Sequence, residues 1–315
     1  ARGNNRPTSN TLGNLQNPTR TDVVSVEGEE EDANDCTVTL YKTAMLADMR
    51  KKTVQPITFA FEGFDETASN EQVYETIGLP LVEQALQGGT ATLLMFGQTG
   101  SGKTYTMQGL EEHMAEDLLG EDAPPGRYLQ VQYVELAGGK CQDLIGTGLV
   151  KVLDNSDGSV ELLHAASLTV DTPESLLHGL QQAQSLRATE STCKNNVSSR
   201  SHGICRITIH DREGNHVVGR LLLVDCAGTE RRNDSLMHTS TRQAESVEIN
   251  ESLFALKECL RARSRNKYVP YRSSLLTRIL RQGLESNQMA LIATVAPNGT
   301  DLEHSMATLQ AVAML

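Results

Sequence analysis

Residues 97–104 read Gly-Gln-Thr-Gly-Ser-Gly-Lys-Thr, the pattern G-x-x-x-x-G-K-[ST], and the chemistry of that spacing is anion capture. Gly97, Gly100 and Gly102 let the backbone curl so that successive N–H groups face inward as a nest for phosphate oxygens, with Gln98, Thr99 and Ser101 completing the loop. Lys103 is spaced to reach β- and γ-phosphates, and the Thr104 hydroxyl to ligate Mg2+. A helix opening at Lys103 would add the positive end of its dipole. Gly-rich turns are common in loops, but this full pattern follows the apolar run 91–96, which reads as a strand. A nucleotide loop is the reading; the pattern alone does not say which nucleotide enzyme carries it.

Two further stretches have the composition of γ-phosphate sensors. The run Leu221-Leu-Leu-Val-Asp225 is a buried strand ending in an acid, where a carboxylate holds Mg2+ through water. Gly228 follows at the spacing Asp-x-x-Gly and offers a backbone N–H to the γ-phosphate, although Asp-x-x-Gly alone is equally a plain strand end. Upstream, Asn195, Ser198, Ser199 and Arg200 cluster hydroxyls beside a guanidinium, a set suited to Mg2+, an attacking water and phosphate oxygens. A Ser-rich loop by itself is usually only a loop. The informative expectation is an Arg200–Glu230 salt bridge that forms when both loops close on the triphosphate and holds the attacking water inside.

These loops need a scaffold, and 315 residues suffice for one large domain or two small ones. No apolar run approaches the length needed to cross a bilayer, and no charged-then-apolar leader opens the chain, so a soluble protein with no membrane partner is expected. The six cysteines lack CxxC pairs and read as reduced thiols of an intracellular protein; no zinc site is expected. A formal charge of −12 argues against a nucleic-acid binder. Residues 257–281 nevertheless carry eight basic residues (Lys257, Arg261, Arg263, Arg265, Lys267, Arg272, Arg278 and Arg281) against Glu258 alone. Such an uneven division suggests an acidic partner docking there, the bland alternative being a solvated basic helix face.

Along the chain, residues 1–55 look partly irregular, with an acidic run at 27–35 and short strands at 22–26 and 37–41. A better strand spans 57–61, with Phe59 and Phe61 on one face. Ser69-Asn-Glu-Gln72 resembles a capping box for an amphipathic helix to Leu86. Residues 111–126, acidic and carrying Pro124-Pro125, are expected to be a surface insertion. A strand at 128–136, a hairpin of 150–153 with 160–163, and a helix from Pro173 to about Ala188 come next. Then come strands 203–210 and 217–224, helices 249–261 and 273–282, a strand 289–295 and a closing helix 302–314. Strands alternating with helices imply an α/β fold, a central mixed sheet with helices on both faces. No internal repeat or interdomain linker is visible.

Together GQTGSGKTYTM, NNVSSRSH and DCAGTE resemble the three nucleotide-site motifs of kinesin motor domains, and the resemblance covers nearly the whole chain. INESLFALKECLRA (249–262) and YVPYRSSLLTRIL (268–280) resemble the family's microtubule-facing helices, and IATVAPN (292–298) the strand before its last helix. FDETASNE (64–71), ALKEC (255–259) and the length and texture of 231–250, ending in a VEIN like that class's AEIN, resemble the internal-motor, microtubule-depolymerising class, kinesin-13. The resemblance implies a P-loop NTPase kinesin motor fold over 1–315 as one motor domain, binding ATP or ADP with Mg2+ and hydrolysing ATP on microtubules of α/β-tubulin. Tyr105, Arg6 and Pro7 would flank the base; Ser199 with Thr104 and Asp225 would hold Mg2+; Asn250 would support the hydrolysis-competent state. Lys257, Glu258, Arg261, Arg265, Lys267, Arg272 and Arg278 would meet tubulin. A cytoplasmic place on the cytoskeleton, at the spindle or other microtubule ends, is implied. Dimerisation would use regions outside this chain, in which no neck linker or coiled coil is expected.

Departures from the family pattern bear on affinity. The adenine-side Arg-x-Arg-Pro reads Asn4-Asn-Arg6-Pro7, and the early Lys-Val-Asp of the depolymerising class reads Thr37-Val-Thr39. Two cations of the tubulin face are replaced by Glu251 and Leu275, and the LRYA of the last helix reads Leu309-Gln-Ala-Val312. Three readings stand side by side: an ATP-driven depolymerase, a translocating kinesin, and a non-motile, nucleotide-gated tubulin-binding module. A small-molecule kinase lacks sequence support.

Overall fold

The computed structural model of the chain describes residues 24–28, 35–45, 52–65, 67–156, 158–189, 200–229, 240–286, 288–296 and 302–313. Contacts divide the chain into two compact units, one of Ala1–Thr67 with Val295–Ala313 and one of Ala68–Thr294 with Met314–Leu315.

The smaller unit is an antiparallel meander, β1 (Val24–Gly28), β2 (Asp35–Met45) and β3 (Lys52–Glu62), in that spatial order. Alternation along β2 turns Val38 and Leu40 to one side, where Leu309 of the closing helix Leu302–Val312 joins them, ringed by Phe59, Phe61, Val295, Leu302 and Met306. Phe59 and Phe61, two apart on β3, stack with centroids 6.0 Å apart. Thr39, on the other side, meets Thr58 across the pair at 3.1 Å. Residues 35–45 and 52–55 are thus regular strand, more ordered than the composition of 1–55 suggests, because the meander supplies hydrogen bonds that composition does not register.

The larger unit opens as its capping box predicts: Ser69 Oγ accepts from Gln72 N–H and Gln72 Oε1 from Ser69 N–H. The helix to Leu86 is interrupted, however. After α1 (Asn70–Val73) comes a π-turn, Tyr74–Gly78, before α2 (Leu79–Leu86). Pro80 has no N–H to continue the ladder, and Leu79 N–H reaches Tyr74 O, five residues back. β4 (Thr90–Gly97) then leads into the phosphate loop and α3 (Lys103–Leu119). Helix α3 corrects the expected insertion at 111–126: Glu111, Met114, Ala115 and Leu118 are buried in it, and the loop begins only after Leu119. The acidic side chains suggest an exposed loop; the i, i+3, i+4, i+7 spacing of those four residues carries the outcome.

β5 (Arg127–Ala137), β6 (Lys140–Asp143), the hairpin β7 (Lys151–Asp154) and β8 (Val160–Leu163), β9 (Leu168–Val170) and α4 (Pro173–Thr189) come next. They are followed by β10 (His202–Asp211), β11 (Val217–Asp225) and α5 (Ser240–Ser264), which is longer than the expected 249–261. The expected helix 273–282 is instead a 3-10 turn, Tyr271–Ser273, then α6 (Leu275–Ile279) and α7 (Arg281–Glu285), before β12 (Gln288–Thr294). Short β6 and β9 lie below the length at which alternation is legible.

The main sheet runs β12-β4-β11-β10-β5-β6, with β9 also on β5. β4 is parallel to both β11 and β12, and the β10, β5, β6 and β9 pairings are antiparallel, so the sheet is mixed. Gly219 on β11 lies against Ala85 of α2, whereas Thr92 on β4 lies against Gly283 of α7. In the parallel register Arg220 sits beside Thr90, so Gly219 and Thr92 point to opposite faces, and helices cover both. That double cover is why 91–96 is buried at every position rather than at alternate ones.

Candidate functional site

Parallel strands β12, β4 and β11 bring their C-terminal ends together, with Thr294 beside Gly97 and Asp225 beside Met95. Open α/β sheets bind ligands at such an edge. A Cβ at Gly97 would lie 2.4 Å from Thr294 O, so only glycine lets β4 turn into the loop there. Gly102, at φ +102°, caps α3 in the left-handed region that the start of the helix requires. Lys103 Nζ donates to Gly97 O (3.0 Å) and Gln98 O (2.7 Å), which holds the buried ammonium over the loop. Ser101 Oγ donates to Gln98 O and lies 2.6 Å from Thr294 Oγ1, tying the loop to β12. The strand β11 delivers the second sensor: Cys226 N–H donates to Met95 O (3.2 Å) and Thr229 N–H to Gly97 O (3.1 Å). Residues 97–104, Asp225 and Gly228 thus share one locus.

At its centre is Asp225. Its Oδ2 accepts from Thr104 Oγ1 (3.0 Å) and from Arg187 Nη1 (2.7 Å). Its Oδ1 is buried with no hydrogen-bond partner among the described residues. A buried carboxylate oxygen left unsatisfied is costly. An orphan carboxylate oxygen beside a threonine hydroxyl, at a phosphate loop, is the sparse hard-oxygen donor set that suits Mg2+, whose remaining positions go to water and phosphate. Thr104 and Asp225 therefore fit such an ion.

Arg187, near the C-terminal end of α4, is a functional candidate that sequence reading missed. Its Nη2 donates to Ser201 O (2.7 Å), its Nε to Ser201 Oγ (3.3 Å), and Glu135 lies 3.8 Å away. Burial alone would pull its pKa down, but Asp225, Tyr133 and Glu135 outweigh that and hold it above its ordinary value. In the sequence a lone arginine in a last helical turn reads as a solvated cation facing the dipole. Glu111 was also missed: it is 4% exposed, and its carboxylate accepts from Gln184 Nε2 at 2.9 and 3.2 Å. Burial raises its pKa to about 7; the Gln184 bond opposes the shift and Asp225 adds to it. Burial and then Asp225 push the Cys226 thiol up to about 12, and the fully described cysteines Cys141, Cys205, Cys226 and Cys259 are free and buried.

Several expected residues are not gathered here. Arg6, Pro7, Asn195, Ser198, Ser199 and Glu230 lie outside the described residues, and with them the Arg200–Glu230 bridge. Arg200 stands half-buried just before β10, Asn250 is exposed on α5, and Tyr105 presents its ring to solvent in the first turn of α3.

The basic segment resolves into two groups. Lys257 turns inward, its ammonium 5.0 Å from the Phe96 ring centroid. Glu258 and Arg261 pair with each other at 2.6 Å. Arg278 donates from Nη2 to Val152 O (2.9 Å) and sits 3.4 Å from Asp154, anchoring the β7–β8 hairpin to α6. Arg265 and Lys267 are exposed, as is Arg272, whose guanidinium approaches Asp154 at 3.4 Å.

A family model described as the kinesin motor domain matches residues 20–313. Among curated proteins, the chain is 41% identical over 253 residues to diatom spindle kinesin-1 of Cylindrotheca fusiformis, covering 78% of this chain and 40% of that protein. It is 32% identical over 301 residues to the human kinesin-like protein KIF24, covering 91% of this chain and 22% of that protein. The chain thus spans well under half the length of these relatives. Among solved structures, the motor domain of the Saccharomyces cerevisiae kinesin-related protein Kar3 superposes with a TM-score of 0.78 at 25% identity, over 94% of each chain. A fast kinesin shares the fold with a TM-score of 0.77 over 96% of this chain and 87% of that one.

Proposed function

This chain belongs to the kinesin motor domain family, and from that premise we propose that it hydrolyses ATP and uses the cycle to work on microtubules. The observation that carries the proposal is the joining of two nucleotide-sensing parts: Thr229 N–H bonds the phosphate loop at Gly97, and Thr104 bonds Asp225. Residues 97–104 bind the phosphates, with Lys103 neutralising the β- and γ-oxygens, and Tyr105, with Arg6 and Pro7, offers a surface for the base. Thr104 and Asp225, with Ser199, are the residues to hold Mg2+, which supplies charge neutralisation on the β- and γ-phosphate oxygens when bound. Arg200 and Glu230 close over the site and position the attacking water, Gly228 reports the γ-phosphate through its N–H, and Asn250 supports the closed state. Both compact units act as one motor domain in this reading, which the family match across 20–313 supports.

The finer reading is depolymerisation of microtubule ends by favouring curved tubulin, supported by the sequence of segments 64–71, 231–250 and 255–259. The exposed cations Arg265, Lys267 and Arg272, with Lys257, Glu258, Arg261 and Arg278 behind them, form the tubulin-facing surface. Its place is the cytoskeleton, with the spindle suggested by the diatom relative's name. Stabilised microtubules incubated with this protein and ATP are expected to lose polymer, and Lys103→Ala to lose nucleotide binding and polymer loss together. Intact polymer with lattice-stimulated turnover would favour a translocating motor; tubulin binding without turnover, a nucleotide-gated module.

A further inference from the structure

His202, the first residue of β10, bridges the sensor loop and helix α5. Its Nδ1 accepts from Ala227 N–H at 3.1 Å, one residue before Gly228. Nε2 must then carry the ring proton, and it lies 2.8 Å from Ser252 Oγ. The Ser252 hydroxyl in turn donates to Ile249 O at 2.9 Å. Each donor in this chain has one acceptor, so the direction of every bond is fixed. Burial, then the nearby Arg187 charge, pushes the His202 pKa down to about 3, so the ring is neutral and the tautomer does not change near neutral pH.

The three groups are buried, whereas α5 has open space beside them. A cleft of about 240 Å³ separates the hairpin turn Gly138-Gly139 from Glu248, Glu251 and Ser252 of α5 and from Ser273 to Leu276. Close-packed interiors resist displacement, so a helix beside a cleft is the element that can shift when its tether is pulled. We propose that His202 is a positioning residue that carries the state of the loop 226–229 to helix α5 through Ser252. This rests on the nucleotide-binding reading above. A peptide reorientation at Gly228 moves the Ala227 N–H, the imidazole follows its bond, and α5 is drawn or released at Ser252.

The chain contains no tryptophan, so Phe254→Trp on the exposed side of α5 gives a single reporter. Its emission is expected to differ between ADP and a non-hydrolysable ATP analogue. In Ser252→Ala that difference should vanish while calorimetric nucleotide affinity stays within about twofold of the parent. Ser252→Thr, which keeps the hydroxyl, should restore it. His202→Asn, which keeps an acceptor at the Nδ1 position and loses the Nε2 donor, should behave as Ser252→Ala does. An equal emission difference in Ser252→Ala, or none in the parent despite nucleotide binding, would overturn the coupling and leave the nucleotide site intact as a reading. A parent that binds no nucleotide would overturn both.

Discussion

At the scale of single residues, the site is an exercise in placing buried charge. Asp225, Glu135 and Glu111 are all nearly excluded from water, and Arg187 answers the first two. Removing one partner of a buried ion pair leaves an uncompensated charge, which costs about 3 kcal/mol or more. Arg187→Met should therefore lower the urea midpoint and raise the Mg2+ concentration needed for half-maximal ATPase, with Arg187→Lys recovering part of both. Glu111 sets a pH dependence whose sign follows from its pKa, which folding raises from 4.5 to about 7. The folded state binds that proton more tightly than the unfolded one, so the stabilisation is complete below pH 4.5 and lost as pH climbs through about 7. Glu111→Gln should leave thermal stability little changed at pH 5 and raise it at pH 8, by up to about 3 kcal/mol. Equal melting shifts at both pH values would contradict the assignment.

Elements add constraints that no single residue carries. The hairpin β7–β8 is a two-stranded sheet of its own, and such hairpins are marginal alone. Two arginines fasten it: Arg278 through Val152 O and Asp154, and Arg206 through Val160 O (2.8 Å). Arg278→Ala should thus act as a structural loss of about 1–2 kcal/mol, with faster proteolysis in residues 151–163. Arg272→Ala, exposed and loosely paired, should change proteolysis little. The sequence places Arg272 and Arg278 on the docking surface; the structure also brings both to Asp154 of the hairpin, and Arg278 alone adds a bond to Val152 O. Helix α3 shows the converse. Its acidic stretch is polar enough to resemble a loop, yet Leu118, Met114 and Leu110 face the core on the same stripe as Glu111.

Across the whole molecule, charge is divided against the likeness to other kinesins. The chain carries −12 overall, and Glu251 and Leu275 stand where the family pattern has lysines. Each exposed contact is worth about 0.5–1 kcal/mol, so restoring two is about a tenfold gain. The double variant Glu251→Lys, Leu275→Lys should bind microtubules about tenfold more tightly in a cosedimentation titration at low salt, with the gain shrinking as salt rises. A gain insensitive to salt would contradict an electrostatic origin.

The sequence by itself determined the phosphate loop, the strand that feeds it, the capping box at Ser69 and the order of most strands and helices. Those features are local: glycine spacing, a run of apolar residues and a cap each act within a few positions of the chain. It also determined the family, whose motor-domain model matches along residues 20–313. Tertiary structure alone decided that Arg187, Glu111 and His202 are buried around Asp225 and Ala227, and that Lys257 turns inward to Phe96. Each depends on partners tens of residues away, and the free energy of a buried polar group is set by those partners rather than by its neighbours in sequence.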